Sequence, residues 1–176
     1  MTELWKDVPG YVGVYQVSNC GRVRSLDRIV NHVNDVNTVN RSRRFKGVML
    51  TLSKAEKSDH LIVRLSSPVK GSKTRFVHRL VLESFGPPRP GDNYECLHIN
   101  GIASDNRIEN LRWGTRSENI QDAVRMGTHN MTRKTHCNKG HEYNESNTLR
   151  YKSDPLKRRC RTCERDRSRR RTSKTA

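Results

Sequence analysis

Apolar residues fall in short runs along the first half of this chain. Between Trp5 and about Arg75 they form "YVGVYQVS", "GRVRSL", "GVMLTL" and "HLIVRLS", punctuated by Gly, Asn and Ser. Such runs predict a small twisted antiparallel sheet. The polar, asparagine-rich stretch "DRIVNHVNDVNTVNRSRRFKG" interrupts them and predicts a long hairpin loop of the kind that orders against a partner. The period then changes. In "FVHRLVLESFG", Val77, Leu80, Val81, Ser84 and Phe85 recur at helical spacing, and Gly86-Pro87-Pro88 ends the pattern. One amphipathic helix should therefore close the sheet.

Further along, "YECLHIN" predicts a short strand, "GIASDNRIEN" a turn-rich loop, "LRWGT" a second strand and "RSENIQDAVRMG" a helix. Thr115, with Glu118 three residues on, makes a capping box for that helix, and Gly127 provides its stop. The overall expectation is an α+β chain.

Charge narrows the partner. Against 18 Asp and Glu stand 35 Lys and Arg, a formal net charge of +17, which is the electrostatic footprint of a polyanion binder. Nucleic acid is the first expectation. A membrane surface competes poorly, because the chain has no long apolar run, no basic amphipathic helix and no signal-peptide build in "MTELWKDVPGYVGVYQ". A cytoplasmic location is expected, without membrane partners. At 176 residues and 32% hydrophobic content, the chain can bury a modest core, so small modules with staples are expected.

Four residues supply one staple. Cys137, His141, Cys160 and Cys163 give C-x3-H, 18 residues, then C-x2-C, two chelating pairs that suit tetrahedral Zn2+, with Gly140 easing the first. Disulfides are the weaker reading in a chain without a secretory signal. Cys20 and Cys96 lie outside the set and are expected as small buried hydrophobes. From Lys157 to Lys174 the chain carries a net +8, about half of the protein's excess. Its attachment to a metal module makes phosphate contact a better expectation than a merely solvated tail.

The stretch "LHINGIASDNRIENLRWGTRSEN", 97–119, holds the remaining chemistry. A hairpin followed by a helix places His98 on a strand and Asn119 in the first turns of the helix, where the two can face one another across a small cleft. Phosphodiester cleavage needs a base for water and a divalent cation against charge developing on phosphate oxygens. A histidine and an oxygen-donor side chain supply that pair.

In order and spacing, "FVHRLVLESF" at 76–85, His98, "DNRIENLRWGT" at 105–115 and "RSEN" at 116–119 resemble the HNH endonucleases, the ββα-metal nucleases of phages and mobile introns. The close match covers about a quarter of the chain. By position, the resemblance implies that His98 is the general base, that Asn110 braces the loop and orients the histidine, and that Asn119 binds a catalytic Mg2+ or Mn2+. Asn106 is expected as a further loop brace. Arg79, Arg107, Arg112 and Arg116 are expected phosphate clamps, and Arg43 and Arg44 are expected to meet DNA from the long loop.

The family often carries Asp or His just before the base as a second metal ligand, whereas this chain has Leu97, which cannot bind a cation. Asn100 and Asp105 are candidates for the missing oxygen, and Cys96 is too soft for magnesium.

"LWKDVPGYVGVYQVSNCGRVRSLDR", 4–28, resembles the NUMOD-type domains that precede HNH modules and are thought to help bind DNA. Its Trp5 and Tyr15 also suit the core of a tiny sheet. The metal-ligand region looks like the zinc ribbon-like tails of phage HNH proteins. Four parts are thus expected: a β-rich NUMOD-like domain at 1–75, an HNH module at 76–130, a zinc module at 131–168 and a basic tail at 169–176. The expected protein is a monomeric, metal-dependent endonuclease acting on double-stranded DNA, in the host cytoplasm if phage encoded. The alternatives are a DNA-binding protein built on a decayed HNH domain, which Leu97 favours, and an RNA-binding zinc protein, which leaves the hairpin chemistry unexplained.

Overall fold

Short apolar runs broken by Gly and Asn make short strands, and the computed structural model shows them as small antiparallel sheets. It describes residues 2–33, 39–67, 71–151 and 153–172. Residues 34–38, within the segment expected as a hairpin loop, and 173–176, in the basic tail, lie outside the described residues. The chain falls into two compact units, Met1–Asn119 and Ile120–Ala176.

In the first unit, β1 (Trp5–Asp7), β2 (Tyr15–Ser18) and β3 (Val23–Ser25) form a three-stranded sheet in that order. Period-two alternation buries Tyr15 and Val17 on β2 and Val23 and Ser25 on β3, with Gln16 and Arg24 between them less covered. Trp5 is half-buried, its ring capped by the Arg24 guanidinium at 4.2 Å, whereas Tyr15 lies in the core. Cys20 was expected to be buried, yet it is exposed at the β2–β3 turn.

The stretch expected as a loop instead forms a two-stranded ribbon, β4 (Arg28–Val33) against β5 (Val39–Phe45), with Arg28 opposite Phe45. Its β-branched residues favour strands even though the segment is polar overall. "GVMLTL" makes no named strand. It crosses β3 through a single bridge, Arg24 to Met49, while Leu50 and Leu52 pack on the core.

A second three-stranded sheet holds β6 (Ser53–Lys54), β7 (Leu61–Ser67) and β8 (Gly71–Phe76). Strand β8 lies outside the runs expected as strands, and "GSKTRF" is almost wholly exposed. Helix α1 (Val77–Phe85) buries Val77, Leu80 and Val81, as its spacing predicts, and also His78 and Leu82, whereas Ser84 and Phe85, expected on the same stripe, are only partly buried. It contacts β1, β2, β7 and β8 on one side and the following hairpin on the other. Valines and leucines of this kind each stabilise by about 1.5–3 kcal/mol when fully buried. One cluster runs from Val8, Tyr15 and Val23 through Leu65 and α1 to Cys96 and Leu111.

The hairpin pairs β9 (Tyr94–His98) with β10 (Leu111–Thr115), His98 lying opposite Leu111. Helix α2 (Arg116–Arg125) follows at once. Its capping box is formed: the Thr115 N–H donates to Glu118 Oε2 at 2.6 Å, and the Glu118 N–H to Thr115 Oγ1 at 3.3 Å. Gly127 takes φ 67° at its stop.

The second unit has little core of its own. It contains α3 (Asn130–Arg133), a hairpin of β11 (Thr148–Tyr151) and β12 (Asp154–Cys160), and α4 (Arg161–Thr172). Among its described residues, Cys160 alone belongs to the buried hydrophobic set, so apolar packing cannot account for its order.

Candidate active site and metal centre

Between β9 and β10 the chain makes a twelve-residue excursion, from Ile99 to Asn110, that is held by amides. Asn110 is buried and makes three side-chain hydrogen bonds. Its Oδ1 accepts the Asn100 N–H at 2.9 Å, and its Nδ2 donates to Asn100 Oδ1 at 3.0 Å and to the Asp105 carbonyl at 2.8 Å. Its carbonyl accepts the Ile99 N–H at 2.8 Å. Asn100 donates in turn to Asp105 Oδ2 at 2.8 Å, and the Arg107 guanidinium forks onto both oxygens of the same carboxylate at 2.9 Å. Hydrogen bonding from Arg107, with Asn100 assisting, holds the Asp105 carboxyl down at about 2, so it stays ionised. The asparagines of this stretch therefore replace a core that the loop lacks.

His98 stands at the end of β9, half-buried beside this bracket. Its Nε2 lies 3.2 Å from Asn106 Oδ1. An amide oxygen only accepts, so that nitrogen carries the proton and the lone pair is left on Nδ1. Burial pulls the His98 pKa below its ordinary value, and a neighbouring imidazole, His60, adds to this; Asn106 and Asp105 oppose it. At neutral pH the ring is an unprotonated imidazole, the form a general base requires.

Two residues that the sequence reading passed over surround it. His78 on α1 and His60, just before β7, place their ring centroids 5.1 and 5.4 Å from that of His98, and 4.9 Å from each other. His78 is buried, and desolvation first, then the neighbouring rings and Arg79, push its pKa down to about 3. His78 stands within the helical stretch "FVHRLVLESFG" but is not among the residues its spacing selects. No local signal in the sequence could have linked His60 to residue 98.

The structure brings His98, Asn106 and Asn110 together and places Asn119 exposed in the early turns of α2. Its amide oxygen is a hard donor of the type Mg2+ accepts. Leu97 is 4% exposed, packed within the unit. Asn100 and Asp105, the candidate replacements, are both already engaged in the loop bracket. Cys96 is buried, its thiol pushed up to about 12 by desolvation, and so remains protonated.

Of the arginines expected at DNA, Arg107 also pairs with Glu109 at 3.2 Å, and Arg112 lies 3.7 Å from Glu118. Arg79 and Arg116 are exposed. On the ribbon, Arg43 sits over the Phe45 ring at 4.9 Å, and Arg44 lies 3.7 Å from Asp27.

In the second unit, Cys137, His141, Cys160 and Cys163 converge, their donor atoms all within 4.8 Å of one another. The recorded separations are Cys137 Sγ to His141 Nδ1 3.6 Å, Cys137 Sγ to Cys163 Sγ 3.7 Å, His141 Nδ1 to Cys163 Sγ 3.3 Å and Cys160 Sγ to His141 Nδ1 3.7 Å. These four atoms could hold a metal ion. Gly140 takes φ 79° in the turn that joins the first pair. Asn147, unremarked in the sequence, organises the second. Its Nδ2 donates to Cys160 Sγ at 3.4 Å, and its Oδ1 accepts from the Thr162 N–H at 3.0 Å and hydroxyl at 2.9 Å. The Lys139 N–H also points at Cys137 Sγ, at 3.4 Å. Such donors around sulfur are what a thiolate ligand needs.

A strand, an amide-braced loop, a second strand and a capped helix, with a histidine at the loop's mouth, define a nuclease-type ββα hairpin. Residues 75–121 match the HNH endonuclease family model, and residues 3–66 match the NUMOD4 motif. Residues 75–121 are thus similar to an HNH module, and the region before them to a NUMOD4 motif. Two relatives share both the hairpin and the region before it. The DNA endonuclease I-HmuI of Bacillus phage SP01 is 32% identical over 135 residues, 73% of this chain and 62% of that protein. The HNH endonuclease L247 of Acanthamoeba polyphaga mimivirus is 31% identical over 144 residues, 78% of this chain and 30% of that protein. A solved structure describing DNA binding and cleavage by the HNH homing endonuclease I-HmuI aligns with a TM-score of 0.53 at 29% identity, covering 71% of this chain and 60% of that one. The chain therefore spans less than two thirds of each relative's length. Among the described residues, no helix is long and apolar enough to cross a membrane.

Proposed function

We propose that this protein is a metal-dependent endonuclease that hydrolyses phosphodiester bonds in double-stranded DNA. The observation that carries the reading is His98: neutral, bonded through Nε2 to Asn106, and set beside a loop that Asn110 holds shut. In this reading Nδ1 of His98 takes the proton from the attacking water, and Asn106 keeps the ring in the tautomer that allows it. Asn119 would hold Mg2+ or Mn2+, which when bound would neutralise charge growing on the phosphate oxygens; Leu97 offers it no ligand, so the remaining oxygens would come from DNA phosphate and water. Arg79 and Arg116, both exposed, are free to approach the phosphates on either side.

The Cys137–His141–Cys160–Cys163 centre is proposed to hold Zn2+ with a structural role. Zinc bonds of about 2.3 Å to sulfur and 2.0–2.1 Å to nitrogen give tetrahedral edges of about 3.6–3.8 Å. Four of the six separations, at 3.3–3.7 Å, lie near that figure, and all four donor atoms lie within 4.8 Å of one another. Helix α4, whose last turn carries Arg169, Arg170 and Arg171, would add sequence-blind phosphate contacts.

Supercoiled plasmid incubated with the protein, with and without Mg2+ or Mn2+, tests the proposal. Wild type should nick or linearise it only with metal, and His98→Ala should lower the rate by ~10²- to 10⁴-fold while DNA affinity is kept. A His98→Ala variant as fast as wild type would remove His98 from the role of base. A wild-type protein that binds but never cuts would favour the decayed-domain alternative.

A further inference from the structure

Two stretches of the N-terminal motif reach the hairpin. One is the turn at Asn19–Gly21. The Asn19 carbonyl accepts the Ile108 N–H at 2.9 Å, and Gly21 lies so close to Asn106 that a Cβ there would sit 2.7 Å from the Asn106 Cβ. At φ +86° glycine is also the residue this turn tolerates best. The amide that bonds His98 is therefore seated on the N-terminal sheet. The other stretch is His60, whose ring faces both His78 and His98.

We propose that His60 is a positioning residue for His98, so that the N-terminal motif completes the cleavage site as well as contacting DNA. This rests on the endonuclease reading above. Among the described residues His98 makes one side-chain hydrogen bond, through Nε2, and a ring held at one atom can still pivot about it. Flanking rings remove that freedom. His78 meets His98 edge to face at 69°, fixed by its burial in α1. His60 closes another side at 54°.

His60 is itself held in three ways: its Nδ1 lies 3.1 Å from Ser58 Oγ, its ring stands edge-on to Phe76 at 6.0 Å, and it packs on His78 at 4.9 Å. A ring anchored on the β6–β7 connection and leaning on the residue just before α1 thus reaches across to the end of β9. Removing it leaves Asn106 and His78 in place but opens one flank of His98 to water and to rotation. A displacement of the base by an ångström is enough to cost ~10²-fold in rate.

The test compares wild type, His60→Ala and His60→Phe in single-turnover plasmid cleavage, DNA affinity and thermal unfolding. We expect His60→Ala to cleave about 10- to 100-fold more slowly at unchanged affinity and melting temperature, and His60→Phe, which keeps a planar ring without a nitrogen, to recover most of the rate. Three results would each overturn the proposal: His60→Ala cutting as fast as wild type, His60→Phe as slow as His60→Ala, or loss of affinity or stability in step with rate. The His98→Ala control separates the two levels of inference. An active wild type, an inert His98→Ala and an indifferent His60→Ala would remove this inference alone, whereas an inert wild type would remove the endonuclease reading and this one with it.

Discussion

Replacing Asn110 by Ala would take out the centre of the loop bracket. The side chain makes three hydrogen bonds, at 2.8, 2.9 and 3.0 Å, from a position only 6% exposed. A typical net contribution of about 0.5–1.5 kcal/mol per bond, with the Asn100 N–H and the Asp105 carbonyl left to find new partners, gives a loss of about 2–4 kcal/mol. Because the loop returns directly into β10, which pairs residue for residue with β9, the loss should appear in the unfolding of the whole first unit. Both tryptophans, Trp5 and Trp113, belong to that unit, so urea denaturation followed by their fluorescence reads it directly. Cleavage should fall by about 10²-fold as His98 and Asn106 lose their fixed relation. Asn110→Asp discriminates further. It keeps the acceptor for the Asn100 N–H but sets a carboxylate against Asn100 Oδ1 and the Asp105 carbonyl, so it should do no better than alanine at neutral pH. A shift below about 0.5 kcal/mol for Asn110→Ala, or full activity in Asn110→Asp, would refute the bracket as what holds the loop.

Two further outcomes follow from the geometry. Protein purified without chelators should contain close to one equivalent of zinc, and its removal should abolish the far-ultraviolet helix signal of residues 120–176 while leaving tryptophan fluorescence unchanged; less than about a quarter equivalent would sink the structural role. Acid should destabilise the first unit through its histidines. His78 has a folded pKa of about 3, below its unfolded value, because burial disfavours the charged ring, so the unfolded chain binds the extra proton. Stability is then complete above about pH 6.5 and declines as pH falls toward 3, by at most about 1.4 kcal/mol per pH unit for this one proton, with His60 and His98 acting in the same direction. His78→Leu should flatten the decline, and an unchanged slope in that variant would assign it elsewhere.

What the chain discloses before folding follows from how local each signal is. The α1 stripe, the Thr115–Glu118 box and the C-x3-H and C-x2-C pairs all lie within one or two turns of backbone; the box forms and the metal-type pairs converge as read, and the stripe does so at Val77, Leu80 and Val81. The amides of 97–119 were legible as a group because the excursion is short, although the sequence does not disclose that Asn106, expected as a loop brace, meets His98. Signals that depend on a third element were silent. Strand β8 is recognisable only by its pairing with β7, Asn147 only by its reach to Cys160, and His60 only by a fold that carries the residue just before β7 to the end of β9.

Leu97 shows the same limit from the other side. The sequence says that a leucine there cannot ligate a metal, and a decayed site is then an easy conclusion. The structure adds a counterpart that no local pattern reveals. A Cβ on Gly114 would lie 2.5 Å from Leu97 Cδ1, so the leucine packs over the glycine diagonal to it on β10, its register partner being Arg112. Residue 97 therefore belongs to the packing of the hairpin rather than to an idle corner of a metal shell. Leu97→Asp would place a carboxylate against Gly114 in a buried position and should destabilise the hairpin instead of supplying a ligand. The departure at 97 is thus evidence about how β9 and β10 are held together, and the proposed role of His98 as base rests on His98 and the amides around it.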